Sequence, residues 1–136
     1  MDKITLTPLK IIESKIGSVL HGLKLSEESF NGFGEAYFST LHYGIIKGWK
    51  KHNKMILNLI VVIGEIKFVI YDENKNKFHE FILSKKNHSR LTIKPGLWVA
   101  FKGLSTENML LNIASIEHDP NEVESININK IKFTNW

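Results

Sequence analysis

The sequence predicts an all-β domain, a β-sandwich or barrel, and two observations lead to this prediction. Short apolar runs recur along most of the chain, and several of them have the period of two that is typical of strands. Turn sequences such as Pro95-Gly96 separate these runs at intervals of about eight to twelve residues. A chain of 136 residues can bury one core but not two, so a single domain is expected over residues 1–136.

The predicted strands follow from these patterns in chain order. They are residues 36–41, 45–49, 56–63, 66–71, 78–83, 91–94, 97–101 and 109–116. Residues 56–63 are rich in β-branched side chains and are expected to be buried on both faces. Residues 66–71 alternate, which indicates a half-buried strand, and the polar run 72–77 predicts a hairpin with the strand that follows it.

Two segments fall outside this strand pattern. Ser26 can cap one helical turn that ends near Phe30, and no other helix is predicted. Residues 119–136 are polar with spaced isoleucines, so they are expected to form an edge strand or an arm that crosses to a partner subunit. Trp136 indicates that this segment is packed onto the fold.

Composition excludes several classes of function. The absence of cysteine excludes a disulfide scaffold, a thiolate nucleophile, a zinc finger and an iron–sulfur site. Eighteen basic and fourteen acidic residues leave a charge of +4, which suits a small anionic ligand but is low for a nucleic-acid binder. No apolar run approaches the roughly 20 residues of a membrane-spanning helix, so no membrane contact and a cytoplasmic location are expected.

Known cofactor motifs are also missing. The chain has no Gly-rich dinucleotide or phosphate loop and no Gly-x-Ser-x-Gly elbow. Its six histidines are scattered singly, without the spacing of metal ligands. Neither a metal nor another cofactor is therefore expected.

The densest polar cluster is residues 47–52, Lys-Gly-Trp-Lys-Lys-His. A strand that turns into a loop here would present lysines, a histidine and an indole, which together can hold a diphosphate and stack a flat ring. The alternative is an exposed basic strand end, because runs of charge are usually solvated.

Three polar residues interrupt apolar strands. Glu35 lies beside Ala36 and Phe38, where an inward carboxylate would be costly unless it is paired or functional. Asn58 and Asn112 each need hydrogen-bond partners when buried, so each is either a structural node or a ligand contact.

Five motifs carry a family resemblance. They are GEAYFST at 34–40, KGWKKH at 47–52, GEIKFVIYD at 64–72, IKPGLWVAFKG at 93–103 and HDP at 118–120. In this order they resemble short bacterial members of the dTDP-4-dehydrorhamnose 3,5-epimerase family, within the cupin jelly-roll superfamily. The resemblance extends from about residue 11 to residue 120.

The resemblance implies a cupin-type β jelly roll, or double-stranded β-helix, that forms a homodimer with exchanged strands. It implies a nucleotide-diphosphate sugar in the barrel mouth, no metal, and a role in surface-polysaccharide biosynthesis. In that family a histidine held by an aspartate removes a proton beside a C4 ketone, and a tyrosine on the opposite face returns it. Positive groups stabilise the enolate between these two steps.

The chain departs from the family pattern at the reactive positions. The family base falls at Lys50, a second histidine at Val99, and the tyrosine at Asn112, while Lys47 keeps the position that contacts the diphosphate. Lys50 is therefore the candidate base, with His52 as the alternative. The candidate substrate-binding residues are Lys47, Glu35, Tyr37, Asn58, Trp98 and Asn112.

Three functions are compatible with this pattern. The first is a nucleotide-sugar epimerase or isomerase that acts on a 4-keto sugar with a non-standard catalytic set. The second is a non-catalytic cupin that binds a sugar nucleotide, and the third is another reaction in the same pocket. A partly buried, inward Lys50 near His52 would favour catalysis, whereas a solvated lysine would favour binding alone.

Overall fold

Two five-stranded antiparallel sheets face each other in the computed structural model, which describes residues 2–136. The strands are β1 (Ile4–Pro8), β2 (Ile11–Ile12), β3 (Val19–Leu20), β4 (Glu35–His42), β5 (Ile46–His52), β6 (Leu57–Ile63), β7 (Glu65–Asp72), β8 (Lys77–Ser84), β9 (Ser89–Ile93), β10 (Trp98–Gly103), β11 (Glu107–Ala114) and β12 (Val123–Ser125). The first sheet has the order β1-β9-β6-β11-β4, and the second has the order β12-β5-β10-β7-β8. The all-β prediction is therefore confirmed.

Each of the eight predicted strands is present, and the predicted hairpin pairs Asp72 with Lys77. The helical turn predicted at Ser26 is absent, and the chain there forms non-helical turns. A 3₁₀ turn at Ile128–Lys130 is the only helical element among residues 2–136. The sequence predicts no strand before residue 36, yet β1 pairs along its full length with β9. No helix in residues 2–136 has the length and apolarity that a membrane crossing requires.

The main core lies between the two sheets. Ile66, Phe68 and Ile70 point inward from β7 and are fully buried. They pack with Leu57 and Leu59 of β6, together with inward side chains of β9, β10 and β11. Burial of this apolar surface is the main favourable contribution to the free energy of folding.

Residues 119–136 cover the outer face of the second sheet. Trp49 of β5 is fully buried there, and its indole N–H donates to the carbonyls of Ile128 and Ile131 at 3.1 and 3.2 Å. Trp136 packs against Trp49, with their ring centroids 6.3 Å apart. The same cover buries Val69, so the strand at 66–71 is more deeply buried than its alternating pattern predicts.

The segment between β3 and β4 covers part of the outer face of the first sheet. Arg90 of β9 is completely buried beneath it, donates to the carbonyl of Gly22 and forms an ion pair with Glu27 at 2.7 Å. The hydrogen bond from Arg90 holds the pKa of Glu27 below its usual value. This buried pair ties the covering segment to the sheet.

Part of the remaining outer face is apolar and is not covered by other residues of 2–136. Phe38 of β4 is 62% exposed. Met109, Leu111 and Ile113 of the neighbouring strand β11 share the face and are only partly buried. A contiguous apolar surface of this kind is typical of a protein–protein contact.

Candidate active site

A cavity of about 210 Å³ opens between the two sheets, on the side where β4 and β5 lie. One wall comes from strands of the first sheet, and the other from strands of the second sheet and the chain that follows β11. Its lining residues are Tyr37, Ser39, Leu57, Leu59, Leu110 and Asn112 on the first wall, and Lys47, Gly48, Lys50, His52, Val99, Phe101, His118 and Val123 on the second.

Strand β5 brings three of the predicted site residues to this cavity. Lys50 and His52 share a face by the two-residue period of a strand, whereas Lys47 should face away from them. The pairing with β10 shifts register here, with Val99 opposite Lys50 and Phe101 opposite Lys47, so Lys47 also reaches the cavity. Gly48 lies within this irregularity, and a larger residue would not fit there because a Cβ would lie 2.3 Å from the Cβ of Ala100.

His52 forms a close pair with Glu122. Its Nδ1 lies 2.5 Å from Oε2 of Glu122, and the carboxylate side chain is almost entirely buried. A carboxylate at this distance accepts the Nδ1 proton, which leaves the lone pair on Nε2 free. The pair therefore has the geometry of an oriented general base.

The backbone around Glu122 explains why it is ionised in a buried place. Burial opposes ionisation, but hydrogen bonds from the Met55 N–H, from His52 and from the Lys54 N–H outweigh it. Together these donors hold the pKa of Glu122 below its usual value. The carboxylate is thus a fixed negative charge that can stabilise an imidazolium at His52.

The opposite wall contains a hydrogen-bonded pair from adjacent strands. Asn112 of β11 and Tyr37 of β4 are direct cross-strand partners, and the Asn112 amide donates to the Tyr37 hydroxyl at 2.9 Å. Asn112 also accepts from the backbone N–H of Asn58 at 3.1 Å. Asn112 is therefore both a structural node and part of the cavity wall.

The surroundings of Lys47 and Lys50 differ from those of His52. Both Lys47 and Lys50 are largely exposed at the cavity mouth. The Lys47 ammonium donates to the carbonyl of Thr40 at 3.0 Å. Two cations beside an apolar cavity create a field that attracts an anionic ligand.

Three of the predicted binding residues lie outside the cavity lining. Trp98 faces the other side of β10, in the cluster of Trp49 and Val69, and its indole donates to Glu73 at 3.3 Å. Glu35 accepts a hydrogen bond from the backbone N–H of His118 at 3.0 Å and so holds the chain that carries that histidine.

Asn58 is the third of these residues. It faces the covering segment of the first sheet, where its amide donates to the Ser29 carbonyl at 3.4 Å and accepts from Thr92 at 2.7 Å. Of the two roles open to a buried asparagine, Asn58 has the structural one.

Three further polar residues at or beside the cavity were not predicted as site residues. Ser39 and His118 belong to motifs at 34–40 and 118–120, but nothing in their local pattern indicates that they face a cavity. Glu122 is 70 positions from His52 in a polar segment, so no local spacing could reveal the pair. The signal that could have led to it is the family's need for a carboxylate beside the base.

The cavity does not resemble a metal centre. Residues 2–136 contain no group of three or more His, Cys, Asp or Glu side chains arranged to hold a metal ion. The cavity lining offers two histidines on separate elements, and one of them is already bound to Glu122. The arrangement suits proton transfer to and from a bound anion.

Comparison with solved structures finds close relatives in overall structure. A dTDP sugar isomerase from Desulfovibrio desulfuricans G20 is 30% identical, with a TM-score of 0.90, and the match covers 96% of this chain and 89% of that one. QdtA, a sugar 3,4-ketoisomerase from Thermoanaerobacterium thermosaccharolyticum crystallised with TDP, is 20% identical, with a TM-score of 0.74 and coverages of 90% and 87%. The epimerase RmlC from Legionella pneumophila, in complex with dTDP-4-keto-L-rhamnose, is 18% identical, with a TM-score of 0.83 and coverages of 94% and 74%.

These structures confirm the predicted jelly roll, because sandwiches of this topology superpose over nearly the whole chain. A comparison with curated protein sequences finds no match. The model of one protein family, FdtA, described as "WxcM-like, C-terminal", matches residues 2–129. The chain therefore belongs to the WxcM-like, C-terminal (FdtA) family, and it is an RmlC-like cupin protein.

Proposed function

We propose that this protein is a nucleotide-sugar epimerase or isomerase that acts on a 4-keto sugar. The observation that carries the proposal is the His52–Glu122 pair, an oriented base in a cavity with two lysines at its mouth. The structural relatives support the same class, since they include a dTDP sugar isomerase, a 3,4-ketoisomerase and an epimerase. The proposed location is the cytoplasm, and the family resemblance supports a proposed role among the reactions that build surface polysaccharides.

His52 is the proposed base. Its Nε2 takes a proton from a carbon beside the ketone, and the electron pair of the broken C–H bond moves to form an enolate. Glu122 stabilises the imidazolium that results and keeps the ring in one orientation. Glu122 is thus a positioning residue for the proton transfer.

Lys50 has a different proposed role. A lysine that acts as a base must first lose its proton, and deep burial is what favours that loss. Lys50 lines the same cavity but is exposed rather than partly buried, so it lacks the surroundings expected of a base, and the proposed catalysis rests on His52 instead. Lys50 lies two residues from His52 on the same strand face, where an ammonium can stabilise the negative charge of the enolate.

Lys47 is the proposed diphosphate contact. We expect Lys47→Ala to weaken nucleotide-sugar binding by about 1.5–3 kcal/mol, because a charge-assisted hydrogen bond to phosphate is lost. That loss corresponds to a dissociation constant roughly 10- to 150-fold higher, which isothermal titration calorimetry with dTDP can measure. Lys85→Ala removes an exposed lysine outside the cavity lining and should leave binding unchanged. Equal affinity of Lys47→Ala and Lys85→Ala for dTDP would show that Lys47 does not contact the diphosphate.

The test of the reaction class is solvent exchange. The wild-type protein is incubated in D2O with 4-keto sugar nucleotides, and the sugar is analysed by NMR and mass spectrometry for deuterium beside the ketone. Incorporation that depends on protein concentration would support an enolate-forming enzyme. Tight binding of the same compounds without any incorporation would instead support a non-catalytic sugar-nucleotide-binding cupin.

A homodimer is also proposed, through the exposed apolar face of the first sheet. Phe38→Glu places a charge on this face, and loss of an aromatic anchor typically costs about 2–4 kcal/mol of association free energy. The dissociation constant should rise roughly 30- to 700-fold, which is measurable by analytical ultracentrifugation at micromolar concentration. Ile82→Glu changes an exposed residue of the second sheet and serves as the control. Dissociation of the dimer by Ile82→Glu but not by Phe38→Glu would show that the interface lies on the second sheet instead of the first.

A further inference from the structure

Strand β12 fixes where Glu122 lies relative to His52, although its own pairing is short. It consists of three residues, Val123–Ser125, and Glu122 directly precedes it. It lies at the edge of the second sheet, where its one strand partner within residues 2–136 is β5. Three residue pairs hold a strand in register only weakly, so the position of β12 on β5 depends on the contacts at its two ends.

The first of these contacts lies at the Glu122 end. The backbone carbonyl of Glu122 accepts a hydrogen bond from the Asn53 N–H at 2.8 Å. Its carboxylate oxygen Oε1 accepts from the N–H groups of Lys54 and Met55 at 2.9 and 2.8 Å, which leaves Oε2 for His52. These bonds attach one end of the segment to the loop that follows β5, but they do not hold its other end.

The second contact is at Trp49, which binds the chain just beyond the other end of β12. Its backbone N–H donates to the carbonyl of Ile126 at 3.2 Å, and its carbonyl accepts from the Ile126 N–H at 3.1 Å. Its indole N–H is shared between the carbonyls of Ile128 and Ile131, inside a cluster where Trp49 has no exposed surface. Trp49 therefore attaches the chain after β12 to the strand that carries His52.

We propose that Trp49 is a positioning residue for the base, which acts through β12 on the contact between Glu122 and His52. Trp49 faces away from the cavity and does not line it. With both ends of β12 attached, the Glu122 carboxylate accepts the Nδ1 proton of His52, and Nε2 keeps its lone pair. Without the indole N–H, β12 can shift on β5, and Nε2 then carries the proton in part of the molecules. The catalytic consequence rests on the proposed function, whereas the change in the His52 ring does not.

The neighbours of Trp49 in the aromatic cluster do not share this link. Phe78 of β8 packs against Trp49, with ring centroids 6.4 Å apart, and its side chain has no hydrogen-bonding group. The indole of Trp98 donates at 3.3 Å to Glu73, in the turn between β7 and β8, and not to the C-terminal segment. Loss of apolar packing in this cluster can therefore be separated from loss of the bond that holds β12.

The test replaces Trp49 with phenylalanine, which keeps an aromatic ring in the cluster and removes the indole N–H. ¹⁵N NMR of the ligand-free protein shows which nitrogen of the neutral His52 ring carries the proton. We expect Nδ1 alone in the wild type and a mixture of Nδ1 and Nε2 in Trp49→Phe. Deuterium exchange with a 4-keto sugar nucleotide in D2O should slow by up to about 10²-fold, the usual effect of misplacing a catalytic group by about 1 Å. KM should change little.

Phe78→Leu is the matched control, because it removes a ring from the same cluster and leaves the hydrogen bonds of Trp49 in place. It should lower the thermal unfolding temperature, as Trp49→Phe does, but keep the wild-type proton position on His52 and the wild-type exchange rate. A mixture of proton positions in both variants would overturn the inference, since a general loss of stability would then explain it. The wild-type proton position in Trp49→Phe would also overturn it, because the bonds at Glu122 would then suffice.

Asn127→Ala weakens the same contact from the other side. Asn127 is exposed, and its side chain accepts from the Asn129 N–H to cap the 3₁₀ turn that begins at Ile128, whose carbonyl accepts from Trp49. This variant should fold even where Trp49→Phe does not, and it should show the same mixture on His52 in a smaller share. An unchanged ring would overturn the inference. A mixture in Trp49→Phe, with no deuterium in any wild-type reaction, would keep the positioning role and overturn the proposed function alone.

Discussion

Replacing His52 with asparagine should lower kcat by about 10²–10⁴-fold, the usual contribution of a general base. Asparagine can still donate a hydrogen bond to Glu122, so the buried carboxylate keeps a partner and the fold is retained. It has no basic nitrogen, and the proton beside the ketone therefore stays in place. KM should change little, because the lost interaction exists only in the transition state. Steady-state kinetics and deuterium exchange on the same substrate measure the two effects.

Two comparisons make this result specific. His42→Asn alters an exposed histidine at the end of β4 that does not line the cavity, and it should leave kcat unchanged. Lys50→Ala should reduce the rate less than His52→Asn does, because it removes a stabilising charge and leaves the base. Normal exchange by His52→Asn together with complete loss in Lys50→Ala would reverse the assignment, with Lys50 as the base.

Glu27→Ala should destabilise the protein by about 3 kcal/mol or more, although Glu27 is far from the cavity. The substitution leaves the charge of Arg90 unpaired in a place where its side chain has no exposed surface. An uncompensated buried charge typically costs about 3–5 kcal/mol. Urea unfolding followed by circular dichroism measures the change in the free energy of unfolding.

The double variant Glu27→Ala/Arg90→Met tests the cause of this loss. If the unpaired charge is responsible, the double variant should be more stable than the sum of the two single changes predicts. Glu80→Ala breaks an ion pair with Lys67 in which the glutamate is 44% exposed, so it should cost less than about 1 kcal/mol. Additive effects at Glu27 and Arg90 would show that their pairing contributes nothing.

The same pair makes stability depend on pH. The pKa of Glu27 is lower in the folded protein than its usual value near 4.5, mainly because of the hydrogen bond from Arg90. Its contribution is therefore fully present above pH 4.5 and is lost as the pH falls through the lowered folded value. Glu27→Ala should remove this part of the acid sensitivity.

The strands were predictable because their pattern is local. Alternation at Ile66, Phe68 and Ile70, and the polar turn after Asp72, depend on neighbouring residues and appear as predicted. The burial of Val69 was not predictable in this way, since it depends on a segment about 60 residues later in the chain. β1 was not predicted for the same reason, because within residues 2–136 its one strand partner is β9.

The candidate site also contains residues that a local pattern predicts and residues that only long-range contacts bring together. Lys47, Lys50 and His52 are close in sequence, so a single strand could be expected to present them together. Glu122 reaches His52 from a distant polar segment, and only the folded chain brings the two into contact. Trp98 stood in a family motif, but the alternation of β10 turns Val99 toward the cavity and Trp98 away from it.

The cover formed by residues 119–136 has a consequence for synthesis of the protein. The ribosome makes this segment after the other strands of both sheets, so β5 first exists as a bare edge with the Trp49 indole in water. Open strand edges and exposed aromatic surface are what make nascent chains prone to aggregate and attractive to chaperones. It follows that protection from aggregation and the arrival of Glu122 beside His52 occur in one late event. A nascent chain that stalls before this segment would lack the proposed partner of His52 and would be vulnerable to degradation.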